Sequence, residues 1–278
     1  MPPKVSNRKR NTLSPKNIHS LTSKQRSTYM NKIFKELVSR YRPTRDQIGV
    51  IIYGTPGAGK TTATKTYLKQ QFDSKKRFLV IDRDELVYEF TDYFKVMKKY
   101  LKSIGMEKDP NQLITPKNIE SRDTNMYYGY LRDFLGQGNL MMNAMIERAH
   151  VNHYNIVIYD PPYRFRPSEY INIMLDSGYN FHSAFLFTPR RKIRKHLNSR
   201  AKSNLIVLSD GALKRLTTNT VTDFVFMCLN GHDILKSCTV IDNSKNKTEM
   251  TQMKDWDFIY RFQKHGRVPQ GYEFLEYD

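Results

Sequence analysis

Five short apolar runs punctuate the chain, separated by stretches with helical spacing. They are Gly49–Tyr53, Phe78–Ile81, Ile156–Tyr159, Phe181–Thr188 and Ser237–Asp242. Runs such as Val50-Ile51-Ile52-Tyr53 and Ile156-Val157-Ile158-Tyr159 are apolar at successive positions, so they read as strands buried on both faces, the habit of a parallel sheet. Between them, Ile33, Phe34, Leu37 and Val38 recur at helical spacing over 28–41, and Pro43 ends that helix. Further helices are predicted at 62–71, at 86–101 with Lys95, Lys98, Lys99 and Lys102 on the polar side, and at 190–202 and 213–229. A short one at 168–177 is closed by Gly178. A long helix is predicted from near Tyr127 to His150, with Met141, Met142, Met145 and Ile146 on its apolar side and interruptions at Gly136 and Gly138. Residues 103–124 are polar, carry Pro110 and Pro116, and read as an excursion from the core. The alternation predicts an α/β fold of three layers around a mainly parallel sheet of about five strands.

The pattern also divides the chain. A basic flexible tail is expected over 1–28, an N-terminal helix over 29–47, the α/β domain over 48–245 and a C-terminal extension over 246–278. A length of 278 residues suffices for one large domain with extensions. Cys228 and Cys238 offer no disulfide framework and no metal-ligand set. No run of about 18 apolar residues occurs, so no membrane-spanning helix is expected. The basic N-terminus is followed by no apolar stretch, so no secretory signal is read there. A cytoplasmic protein fits, with nuclear or virion association left open.

Charge changes the picture more than composition does. Lys and Arg number 46 against 27 Asp and Glu, a net charge of +19. Such an excess attracts polyanions. Twelve of the basic residues precede residue 46, against a single acid, Glu36. The run Arg8-Lys9-Arg10 reads equally as a nucleic-acid contact, part of a nuclear address or a solubilising end.

The chemistry starts directly after the first strand. Gly54-Thr55-Pro56-Gly57-Ala58-Gly59-Lys60-Thr61-Thr62 fits G-x-x-x-x-G-K-[ST], the phosphate loop known as Walker A, between a strand and a helix. Glycines let successive N–H groups turn inward onto phosphate oxygens, and the following helix N-terminus adds positive potential. Lys60 is expected on the β- and γ-phosphates and Thr61 on Mg²⁺, so the expected ligand is ATP with Mg²⁺.

Phosphoryl transfer further needs a group to orient the attacking hydroxyl and cations for the developing charge. In an open α/β sheet these lie beyond the carboxyl ends of the strands. The second strand ends in Asp82-Arg83-Asp84-Glu85. If that segment is extended, Asp82 and Asp84 share a side and Arg83 points away. One of the two acids is expected to be catalytic, Asp84 ahead of Asp82, the alternative being a helix cap. Asp160, closing the third strand, is expected at the metal or substrate. Arg190, Arg191, Arg194 and Arg200 lie on a basic helix that could close over the triphosphate, with Arg194 and Arg200 preferred as catalytic cations and Arg190 as a nucleotide contact. His150 and His153 lack co-ligands for a metal. Asp160-Pro161-Pro162-Tyr163 also matches the DPPY signature of adenine-N6 methyltransferases, but the one glycine loop is better explained by phosphates.

These pieces, in this order, resemble the zeta-toxin family of kinases, related in fold to polynucleotide kinases. The resemblance runs over about 48–245. It rests on Gly54–Thr61, the D-x-D of Asp82-Arg83-Asp84, the strand before Asp160, Ser177-Gly178-Tyr179, the arginines from Arg190 to Arg200, and Val240-Ile241-Asp242-Asn243-Ser244. It implies ATP binding by Lys60 and Thr61, Asp84 as base, and Arg194 and Arg200 on phosphate. The segments after D-x-D and after the third strand depart from the family pattern, with Glu85-Leu86-Val87 and Pro161-Pro162-Tyr163-Arg164. In the family both regions line the acceptor pocket, so the hydroxyl acceptor implied by the resemblance stays open among a nucleotide sugar, a nucleotide and a polynucleotide end. A nucleic-acid-associated ATPase and a basic structural protein retaining a kinase fold are the competing expectations.

Overall fold

The computed structural model describes residues 18–44, 46–73, 76–90, 92–103, 122–159, 176–189, 191–197, 235–243 and 249–252, with scattered positions from 205 to 228 that are helical from 213 on. Six strands form one sheet: β1 (Ile48–Tyr53), β2 (Leu79–Asp82), β3 (Ile156–Tyr159), β4 (Asn180–Phe187), β5 (Leu235–Asp242) and β6 (Glu249–Gln252). Their order is β2-β3-β1-β4-β5-β6. The first five run parallel, as the double-sided apolar runs predict, and β6 pairs antiparallel with β5. β6, with the sequence Glu-Met-Thr-Gln, carries no apolar run and was not predicted. It extends the sheet on the β5 side.

β1 is buried along its whole length because both faces are covered. Ile51 and Tyr53 join one apolar cluster; Val50 and Ile52 join the other, which packs against α2 (Lys60–Gln71) through Ala63 and Tyr67. The chain leaves β1 at the sheet's reversal point, where β3 lies on one side and β4 on the other. That crevice is where α/β sheets bind ligands.

The N-terminal helix α1 (Ser23–Val38) begins before the predicted tail ends. Thr22 caps it: its hydroxyl accepts from Gln25 N–H, and the Gln25 side chain accepts from Thr22 N–H. Upstream, Ile18 is fully buried and its N–H donates to Gln137 at 2.8 Å. Ordered packing therefore starts by residue 18, and the tail boundary near 28 is corrected accordingly.

The predicted helix over 86–101 is divided. A four-residue turn, α3 (Arg83–Leu86), and a 3-10 turn at Val87–Glu89 end at Phe90, whose backbone is extended, and α4 (Tyr93–Ser103) follows. The long helix α5 (Arg122–Val151) is continuous through Gly136 and Gly138. Gly138 is there for contact: a Cβ would lie 2.7 Å from Val87 Cγ2 and 3.0 Å from Arg83 Cγ. Gly138→Ala should therefore destabilise the protein by about 1–3 kcal/mol, the usual cost of overpacking. The exposed-side control, Gly136→Ala, meets no neighbour within 4 Å and should stabilise through helix propensity. Denaturant midpoints of the two variants check both signs.

Candidate functional site

The glycine loop is shaped as its sequence predicts. Gly57 (φ 85°) and Gly59 (φ 92°) adopt left-handed conformations, and Gly59 caps α2. Glycine is required at 57 for space as well: a Cβ would stand 2.9 Å from Leu197 Cγ and 3.1 Å from the Ile193 carbonyl oxygen. Thr55 is buried and its hydroxyl is 3.3 Å from that of Thr217. Pro56 and Ala58 complete the turn, and Ala58 N–H donates to Thr55 O. Lys60 donates from Nζ to Gly54 O at 2.6 Å. Thr61 and Thr62 are exposed on the first turn of α2.

Other elements brace the loop. Thr188, at the end of β4, donates to Ala58 O at 2.8 Å. Asn243, just past β5, donates from Nδ2 to the same oxygen at 3.2 Å. Helix α6 (191–197), opened by Pro189, packs on the loop through Ile193 and Leu197. His196 Nδ1 lies 2.8 Å from Gly57 O. A carbonyl only accepts, so Nδ1 carries the proton. Lys192 Nζ donates to Asn243 O at 2.9 Å, tying α6 to the end of β5. The basic helix expected to close over a triphosphate is thus seated against the loop, with Arg191 exposed and Arg194 half-buried. Arg190, Arg200 and Asp160 lie outside the described residues.

The acids are arranged differently from expectation. The chain is not extended through 82–84: β2 ends at Asp82, which caps α3, its carboxylate accepting from Asp84 N–H at 2.9 Å. The turn that follows swings Arg83 back, so it does not point away from Asp84. Its buried guanidinium meets the Asp84 carboxylate through Nε at 3.3 Å and Nη2 at 3.0 Å. Asp82 is paired in register with Tyr159, which is paired with Ile52 of β1. Register puts these three on one face, the face that carries α2. Burial raises the Asp82 carboxyl to about 6; the neighbouring Asp84 charge adds to the rise and Lys60 opposes it. The Tyr159 hydroxyl is pushed up to about 12, chiefly by burial, beside the Thr64 and Thr61 side chains and the Asp82 charge. It is a neutral donor at any working pH.

Lys60, Thr61, Asp82, Asp84 and Tyr159 therefore meet at the carboxyl edge of β1, β2 and β3. Two adjacent carboxylates, one of them raised by burial and then by the other's charge, suit a divalent cation, whose charge would relieve both. Tyr159, His196 and Asn243 join the site with no role predicted for them from sequence. For Tyr159 and Asn243 the available signal is position, since each sits at the carboxyl end of a parallel strand.

No family model and no curated protein sequence matches the chain. Solved structures do. A chain from the PezAT chromosomal toxin–antitoxin system of Streptococcus pneumoniae is similar at a TM-score of 0.55 and 16% identity, covering 84% of this chain and 83% of that one. The AvrRxo1-ORF1:-ORF2 complex with ATP contains a chain similar at a TM-score of 0.51 and 8% identity, covering 92% of this chain and 76% of that one. Its native form gives 0.51 at 10% identity, over 91% and 76%. What these chains share with the present one is the architecture, an α/β fold around a sheet with five parallel strands, as the alternation of apolar runs and helical spacing predicts.

Proposed function

We propose that the protein is an ATP-dependent kinase that moves the γ-phosphoryl group of ATP to a hydroxyl of a nucleotide sugar, a nucleotide or a polynucleotide end. The observation that carries the reading is the seating of Asp82, which accepts from Asp84 N–H, near enough to Lys60 for the lysine charge to act on its carboxyl. In this reading residues 54–62 cradle the phosphates. Thr61, with Asp82 and Asp160, would hold Mg²⁺, which screens the phosphate oxygens. Asp84 orients the acceptor hydroxyl, and Arg190, Arg194 and Arg200 supply cations from the α6 side. Tyr159 lies beside Thr61 and Thr64 at the start of α2, and His196 fixes Gly57.

The test is transfer of label from γ-³²P-ATP to panels of nucleotide sugars, nucleotides and 5′-hydroxyl oligonucleotides. Label should appear on one acceptor class. Label released only to water, faster with added nucleic acid, would favour an ATPase.

Nucleic-acid binding through the basic N-terminus belongs to the same proposal. Residues 1–17 carry five Lys or Arg and no acid. Deleting them should weaken oligonucleotide binding and flatten the log K against log salt slope by up to about four, at 0.7–0.9 per phosphate contact, while ATP affinity is unchanged. Equal binding by both forms across salt would make the segment a solubilising end.

A further inference from the structure

At the pole opposite the glycine loop, the amino ends of the adjacent strands β2, β3 and β1 come together. The segments entering them bring Arg40 and Arg42 before β1, Lys76 and Arg77 before β2, and Asn155 before β3. These residues line a cavity of about 590 Å³. Four cations face a single lining carboxylate, Asp46, which pairs with Lys76 at 2.9 Å. Arg40, Arg42 and Arg77 are exposed. By charge alone this would be a solvated basic face.

Asn155 makes it more than that. Its side chain is only 1% exposed. Oδ1 accepts from Ile48 N–H at 2.8 Å and from the Thr44 hydroxyl at 2.9 Å. The Ile48 N–H can be met only by the amide oxygen, which fixes the orientation of the group. Nδ2 is therefore a donor, buried on a residue of the cavity lining, and among the described residues it has no acceptor. An unmet buried donor is costly and uncommon in a folded core. An anion seated among the arginines would meet it.

We propose that this cavity is a second phosphate-binding site, separate from the glycine loop, for the phosphate of a nucleotide or a polynucleotide. Arginine forks match phosphate oxygens in geometry as well as charge. The volume exceeds what a bare phosphate needs and lies within the range of small-ligand sites, about 300–1,000 Å³, so the phosphate arrives on a larger molecule. Six residues of β1 separate the two poles, roughly 20 Å at about 3.3 Å per residue. One ATP cannot occupy both.

The test uses the full chain carrying Lys60→Ala, so that the loop contributes nothing, with AMP and a ten-residue oligothymidylate as probes, followed by calorimetry and anisotropy. Arg42→Gln/Arg77→Gln, both at exposed positions, should weaken at least one probe tenfold or more without moving the thermal midpoint. Asn155→Asp keeps both accepted hydrogen bonds, replaces the donor with an anion, and should weaken the same probe at least as much. Loss of AMP binding identifies a mononucleotide site; loss confined to the oligonucleotide identifies a phosphodiester site. If neither variant changes the affinity for either probe, the cations are a solvated face and the proposal is wrong.

Discussion

Lys60→Ala should abolish ATP binding at the glycine loop and reduce turnover by on the order of 10²–10³ or more, the usual worth of a preorganised charge contact. Lys60 is the one cation that the loop itself carries. Its stem runs along Gly54, where a Cβ would already lie 3.2 Å from Lys60 Cγ, and its ammonium reaches the Gly54 carbonyl oxygen. That packing fixes the reach of a four-carbon stem. Lys60→Arg, although it keeps the charge, should therefore fail as well, because a planar fork cannot take the place of a compact ammonium. Nucleotide affinity by calorimetry and hydrolysis by phosphate release check both variants. The thermal midpoint should stay near that of the parent, since Lys60 is half-exposed at a helix start. ATP binding equal to the parent's would overturn the phosphate-loop reading.

What the sequence makes legible, and what it hides, follows from where the information lies. The loop is legible because its glycines are needed for backbone conformation: Gly57 and Gly59 take positive φ, and no other residue does so cheaply. The parallel strands are legible because burial on both faces leaves continuous apolar runs. β6 is hidden because its pairing with β5 leaves no trace in a four-residue segment without an apolar run. The start of α1 was legible in principle, since Thr22-Ser23-Lys24-Gln25 is a capping box. Gly138 misleads by propensity: in isolation it reads as a helix interruption, whereas its role is close approach to Arg83 and Val87. The Asp82–Asp84 geometry turns on a single event, the switch from strand to helix at Arg83. Periodicity does not resolve such a switch to one residue.

That switch separates the two acids, and their variants should differ in stability as well as in activity. Asp84→Asn should cut phosphoryl transfer by about 10²–10⁴-fold, the range for general base catalysis, with ATP affinity nearly intact. It should also lower the thermal midpoint. The Arg83 guanidinium, with a side chain 7% exposed, pairs with the Asp84 carboxylate, and a neutral amide leaves that buried charge uncompensated. Asp82→Asn should do the opposite to stability. The folded protein holds the Asp82 carboxyl near 6, above its ordinary value of 3.8. The folded state therefore binds the proton more tightly than the unfolded one, and stability falls as pH rises from about 4 to about 6 and stays lower above that. Asparagine removes the ionisation and can still accept from Asp84 N–H as the α3 cap. The variant should gain on the order of 3 kcal/mol at pH 7.5, scaled from the pKa difference, with the gain shrinking toward pH 4. If Asp82 is needed in its ionised form for metal binding, wild-type transfer should also fall as pH drops through about 6, and this dependence should vanish in Asp82→Asn along with most of the affinity for Mg²⁺. A thermal melt at two pH values and a transfer assay on each variant decide the roles. Loss of transfer in Asp82→Asn with full transfer in Asp84→Asn would make Asp82 the base and leave Asp84 as the partner that keeps Arg83 neutralised.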